Sequence, residues 1–263
     1  MFMTHRPILL AVIAAGLLGT AIGGFAVAVF RPALFSGVTT ETAVRETLRA
    51  HPEIVLEALQ ALQANRATAM RGQQRAAILA NRAALLEDPD SVVIGNPQGD
   101  VTLVEFFDYR CPYCRESLKM VQVLVAADAG LRVVLKEFPV LGPQSLVAAQ
   151  LAAAAGKDPR YQALHEALMT APGPFDRDAV LAIAADLGMD RAALSAAMSA
   201  PEVERILNAN HRLAGSLGIE GTPAFVVGDV LVAGAASPQE LNRLIAALRE
   251  RGGDAALAAG GKS

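Results

Sequence analysis

The chain holds two cysteines, Cys111 and Cys114, and they lie together in the run FFDYRCPYCRES, residues 106–117. Two thiols at this spacing can cycle between dithiol and disulfide, hold a soft metal, or staple a loop. A staple across so short a loop removes little chain entropy. Zinc normally takes four ligands, and His5, His51, His165 and His211 supply neither a second CxxC nor a close histidine pair. Cu(I), which accepts soft thiolates, stays open beside redox cycling.

The surrounding pattern favours redox chemistry. VTLVEFF, residues 101–107, is rich in β-branched and aromatic residues and predicts a strand. After the cysteines, Leu118, Val121 and Val125 have helical spacing, ending at Gly130. Pro112 therefore sets the first turn of a helix and Cys111 stands at its N-terminus, where free N–H groups and the helix dipole favour a nucleophilic thiolate. Cys114 falls one turn further in, on the same face, as the shielded resolving thiol.

The remaining elements must position this turn. Upstream, LEDPDSVVIGNPQGD reads as a turn-rich boundary. Downstream come a strand in LRVVLKEF, helical segments over about 143–217, two short strands in AFVVGD and VLVAG, and a last helix with Ser237 as cap, Pro238 first and Glu240 completing a capping box. Residues 252–263 read as a flexible tail. His165 and His211 fall in helical sequence without a motif and read as surface or packing residues. Lys136 and Glu137, at a strand end, read either as neighbours of the site or as a solvated pair.

The chain before residue 91 has a different character. From Ile8 to Phe30 there is no charge, enough to span about 30 Å of hydrocarbon as a helix. Residues 1–37 are thus expected to be a signal-anchor, with Ala26-Val27-Ala28 offering a cleavage site if it is a signal peptide. Either way the rest is exported, where disulfides persist. Residues 38–90 predict a helical stalk with apolar positions at Val55, Ala58, Leu62, Ala69, Ala76, Leu79, Ala83 and Leu86. That stripe fits association between copies, packing on the next domain, or a solvated linker. A net charge of −3 carries no basic excess and argues against a nucleic-acid partner.

Residues 100–250 resemble the DsbA-like branch of the thioredoxin superfamily, exported thiol:disulfide oxidoreductases, and especially its anchored or stalk-bearing members related to the copper-sensitivity suppressor proteins. The resemblance rests on VEFFDYRCPYC, KEFPVLGPQS and GTPAFVVGDVLVAGA, in that order. It implies an α/β thioredoxin-like domain over 91–251 with a helical insertion. It further implies that Glu105 is a buried acid beneath the cysteines, relaying a proton to Cys114, and that Thr222-Pro223 is a cis-proline loop offering backbone to substrate. By sequence alone Thr222-Pro223 would be an ordinary trans turn.

The expected activity is exchange of disulfides with cysteine-containing exported proteins in a bacterial periplasm, anchored to the inner membrane through residues 8–30. No cofactor or resident metal is expected; copper handling by the same thiols is the alternative. A quinone-linked oxidase or a transmembrane reductase would set the redox state. Strongly oxidising family members carry His where this chain has Tyr113, which leaves oxidase, isomerase and reductase roles open.

Overall fold

The computed structural model describes residues 40–260, and side chains through residue 257. The apolar segment 8–30 lies outside the described residues. Among the described residues no helix is long and apolar enough to cross a membrane.

The chain divides into two compact units between Arg66 and Ala67. The first contains α1 (Thr40–Ala50) and the start of α2 (Glu53–Ala80), in which Val44, Leu48, Val55, Leu59 and Leu62 are exposed. The boundary therefore falls inside α2, earlier than the turn-rich stretch near residue 90. The reason is burial: Ile78 on α2 and Leu85 on α3 (Arg82–Leu86) pack with Val104, Phe106 and Val134 of the sheet. The second half of the expected stalk is thus part of the second unit's core.

In that unit, β1 (Val92–Gly95), β2 (Val101–Phe107), β3 (Leu131–Glu137), β4 (Ala224–Val227) and β5 (Val230–Ala233) form one sheet in the order β1-β3-β2-β4-β5. β2 pairs in parallel with β3 through the crossover helix α4 (Pro112–Ala127), and antiparallel with β4. The central strand β2 is buried at all seven positions. Its alternation sends Val101, Leu103 and Phe107 to one face and Val104 and Phe106 to the other.

Helices α5 (Pro143–Ala154), α6 (Tyr161–Thr170), α7 (Arg177–Asp186), α8 (Arg191–Ala197) and α9 (Pro201–Ser216) fill the expected insertion. Leu151, Leu164, Leu168 and Val180 from this group share the first face with Cys114 and Val121 of α4 and with Leu241, Ile245 and Leu248 of α10 (Pro238–Glu250). Ser237 caps α10 by accepting from the Glu240 N–H at 3.1 Å. Burying a leucine of this kind contributes on the order of 2 kcal/mol.

Where a flexible tail is expected, residues Asp254–Gly260 form α11. The Asp254 N–H donates to the Asp100 carbonyl at 2.9 Å, and Thr102 Oγ1 donates to its carboxylate at 2.5 Å. Gly253 makes this close return possible: its φ is +65°, and a Cβ there would stand 2.3 Å from the Asp100 carbonyl oxygen.

Candidate active site

The site begins where β2 ends. Asp108 and Tyr109 turn the chain, the Cys111 N–H donates to the Asp108 carbonyl at 3.0 Å, and Pro112 opens α4 with Cys111 as its N-cap. One Asp108 carboxylate oxygen accepts from the Arg110 N–H at 2.8 Å; the other accepts from the N–H groups of Val140 and Leu141 at 2.8 and 3.0 Å. A single buried carboxylate thereby ties the cysteine turn to the loop before α5. Arg115 Nε reinforces the turn by donating to the Tyr109 carbonyl at 3.0 Å.

Cys111 and Cys114 are both free and both buried, Cys111 retaining 4 % exposure and Cys114 none. Cys111 Sγ donates to the Thr222 carbonyl at 3.2 Å, and the Thr222–Pro223 peptide is cis. The Gly234 N–H donates to the Pro223 carbonyl at 2.9 Å, fastening this loop to the end of β5. Tyr113, by contrast, is turned to solvent with 59 % exposure.

Glu105 lies in the middle of β2, between Leu135 and Phe225 on the neighbouring strands, and is buried. By alternation it faces the layer that holds Cys114. Ser117 Oγ stands 3.2 Å from a Glu105 carboxyl oxygen and 3.0 Å from the Cys114 carbonyl, coupling strand to helix. Burial raises the Glu105 pKa to about 7, against the lowering effect of Ser117. Burial also pushes the Cys114 thiol far up, so its thiolate is a poor resident and must find a proton.

A cavity of about 280 Å³ joins these groups; Glu105, Cys114, Leu118, His165, Glu166 and Gln162 are among its walls. It runs from buried residues to exposed Gln162, which gives the buried carboxyl a route toward solvent. His165, read from the sequence as a surface or packing residue, is a buried packing residue that also lines this cavity. Its Nδ1 is 3.1 Å from the Tyr109 hydroxyl, its ring meets Phe107 edge-on at 4.9 Å, and burial lowers its pKa to about 4. No local motif marks it; only the tertiary fold brings α6 over β2.

Lys136 and Glu137 are not a solvated pair: both are buried, and each makes its hydrogen bonds to other residues. They are consecutive on β3 and so point to opposite faces. Lys136 Nζ donates to the Asp88 carboxylate at 2.7 Å and to the Ala84 carbonyl at 2.8 Å, whereas Glu137 accepts from the Tyr161 hydroxyl at 2.6 Å. Burial raises the Glu137 pKa and lowers that of Lys136. His211 packs its ring against Phe138 at 4.8 Å, on the face away from the cysteines. Among the described residues no group of three or more His, Cys, Asp or Glu side chains is placed to hold a metal.

A CxxC at a helix start, a cis-proline loop against its first sulfur and a buried acid below its second define a thioredoxin-fold dithiol protein. Residues 102–246 match the DSBA-like thioredoxin domain, and the chain belongs to that family. Residues 41–69 match the copper resistance protein ScsC N-terminal domain. A thioredoxin-like oxidoreductase from Silicibacter pomeroyi is 45 % identical, with TM-score 0.63 over 65 % of this chain and 98 % of that one. A linker-deleted mutant of Proteus mirabilis ScsC is 26 % identical, with TM-score 0.64 over 82 % of this chain and 99 % of that one. The thiol:disulfide interchange protein DsbA of Bordetella parapertussis is 32 % identical over 49 % of this chain. The chain spans 64 % of that relative's length, and 16 % and 22 % of two others.

Proposed function

We propose that this protein is an exported thiol:disulfide oxidoreductase acting on cysteine-containing proteins of a bacterial periplasm. The observation that carries the reading is Cys111 Sγ at the Thr222 carbonyl with Cys114 and Glu105 on one cavity. Family membership supports the same chemistry.

In the oxidising direction a substrate thiolate attacks Cys111 Sγ of the Cys111–Cys114 disulfide. The S–S bond breaks, Cys114 leaves as a thiolate, and Glu105, protonated near neutrality, transfers a proton to it. A second substrate thiolate then attacks the substrate sulfur of the mixed disulfide and releases Cys111. The substrate has lost two protons and two electrons to the protein dithiol. Reversing the steps reduces a substrate disulfide. Thr222 lends its backbone to the substrate segment by strand-like pairing.

The direction follows from the partner: a quinone-linked membrane oxidase would keep the pair oxidised, a transmembrane reductase would keep it reduced. Residues 8–30 would anchor the chain in the inner membrane. The exposed apolar positions of α1 and early α2, with the ScsC-type match over them, support a stalk that associates copies. Several such sites around one misfolded substrate suit shuffling of disulfides.

The test is Cys111→Ser, which should abolish dithiol–disulfide exchange while circular dichroism and the unfolding midpoint stay those of the parent. Retained turnover overturns the proposal. The match of residues 41–69 to the N-terminal domain of a copper resistance protein favours a second reading, Cu(I) handling by the two adjacent thiols, which suit a soft ion. Stoichiometric Cu(I) binding without exchange on a peptide disulfide would select it.

A further inference from the structure

Beside the cysteines lies a second, open cavity of about 640 Å³, walled by Arg110, Pro112, Arg115, Gln144, Gly173 and Pro174. It shares residues with the cysteine turn itself: Arg110 directly precedes Cys111, and Arg115 sits one turn along α4. We propose that this groove is a subsite for an acidic side chain of the substrate polypeptide, one or two residues from its reacting cysteine. The proposal rests on the exchange reading above and names the substrate class it favours.

Two guanidinium groups border the groove, and neither has a carboxylate partner among the described residues. Arg110 reaches across to the Gln144 side-chain oxygen, which also accepts from the Phe175 N–H at 3.3 Å. Arg115 uses only Nε on the protein, at the Tyr109 carbonyl, and its guanidinium carbon lies 5.7 Å from the centre of the Phe175 ring. Its two terminal nitrogens have no protein acceptor among the described residues. A guanidinium held by a backbone bond and an aromatic face, with donors to spare, is preorganised for a carboxylate.

The acids close by are otherwise engaged or turned away. Asp108 is buried and accepts from three backbone N–H groups. Asp176 accepts from the Ala179 N–H as the cap of α7. Glu116, beside Arg115 in sequence, is exposed on α4 and is not part of the groove wall. The groove therefore presents net positive charge on a chain whose overall charge is −3. An extended segment advances about 3.3 Å per residue. With its cysteine at Cys111 Sγ, its next one or two side chains reach the Arg110–Arg115 wall.

The test uses the full-length chain in its dithiol form and peptides carrying one S-methyl disulfide, with Glu, Gln or Lys next to the cysteine. Cys111 attacks the peptide sulfur and methanethiolate leaves. Cys114 then closes the protein disulfide and frees the peptide thiol, so that peptide thiol plus methanethiol form for each dithiol oxidised. The Glu peptide should react about 10-fold faster than the Gln peptide, and the Lys peptide more slowly, at about 20 mM salt; the gap should close at about 500 mM. In Arg110→Gln, Arg115→Gln and their double variant the Glu:Gln ratio should fall toward one. This ratio cancels any effect of the arginines on thiol reactivity itself.

Equal rates for the three peptides, with brisk reaction of the Gln peptide, overturn the subsite and leave the exchange reading standing. No reaction of any peptide overturns both. If Arg115→Gln fails to fold, the salt dependence of the parent and Arg110→Gln still decide the matter.

Discussion

Cys111 Sγ lies 3.2 Å from the carbonyl oxygen of Thr222, a residue 111 positions later in the chain. The contact joins the start of α4 to the loop before β4, so two loops at one end of the sheet converge on the sulfur. It also separates the two thiols: Cys111 faces an acceptor that a substrate backbone could share, while Cys114 faces the interior. Under the proposed function, that asymmetry suits attack on Cys111 and departure of Cys114.

Cys114→Ser should convert the protein into a trap. With Cys111 free and no resolving thiol, a mixed disulfide with a protein partner can be released only by another thiol, so its lifetime lengthens. Complexes reducible by dithiothreitol should accumulate in cells with Cys114→Ser and be absent with Cys111→Ser. Equal capture by the two variants would contradict the assigned roles.

Glu105→Gln separates the carboxyl's catalytic and structural effects. The folded pKa of about 7 stands above the ordinary carboxylate value of 4.5. The folded state then binds the proton more tightly, so this group's contribution to stability is full below about pH 4.5 and declines as pH rises to about 7, by roughly 3 kcal/mol. Glu105→Gln should therefore gain stability over the parent by roughly 3 kcal/mol at pH 8 and about nothing at pH 4, read from denaturant midpoints. His165 has the opposite sign: its folded pKa of about 4 is below 6.5, so its contribution is lost as pH falls from 6.5 to 4. In the parent the two slopes oppose each other between about pH 4.5 and 6.5; in the variant the histidine's slope is uncovered. Exchange should slow by about 100-fold, because Cys114 then leaves without its proton donor.

Asp108→Ala should loosen the site without touching a sulfur. It leaves the N–H groups of Arg110, Val140 and Leu141 without their acceptor, the first in the cysteine turn and the other two in the loop before α5. The expected loss is about 2–4 kcal/mol, with faster amide hydrogen exchange confined to residues 140–141 and the turn. A uniform increase across the domain would instead mean that Asp108 only adds global stability.

What the sequence discloses differs from element to element for physical reasons. The strand, the cysteines and the helix start are local, set by β-branched composition, Pro112 and spacing, and β2 and α4 appear where these place them. The sidedness of Lys136 and Glu137 was available from the period of two, since consecutive strand residues cannot share a face. Asp108, Ser117 and His165 carry no local sign, because their partners arrive from 12 to 56 residues away or from another loop. In α2 and α3 the sequence stripe selects Leu79 and Leu86, whereas Ile78 and Leu85 are buried. Alanine fits either face, and so many alanines leave the phase of a helix free by one residue.

That one-residue phase matters for the stalk, where two halves of α2 do different things. Ile78 is buried against the sheet, so Ile78→Ala should lower stability of the second unit by about 2–4 kcal/mol through the cavity it leaves. Leu59 and Leu62, in the first unit, are 51 % and 44 % exposed. Charging both, as Leu59→Glu with Leu62→Glu, should leave the unfolding midpoint of the second unit within about 0.5 kcal/mol of the parent. If the stalk associates copies, the same double variant should sediment as a monomer where the parent sediments as an oligomer, and should lose shuffling of a scrambled substrate while keeping exchange with a small disulfide. A parent that is monomeric at every concentration would make this half of α2 a linker and remove the argument for several sites around one substrate.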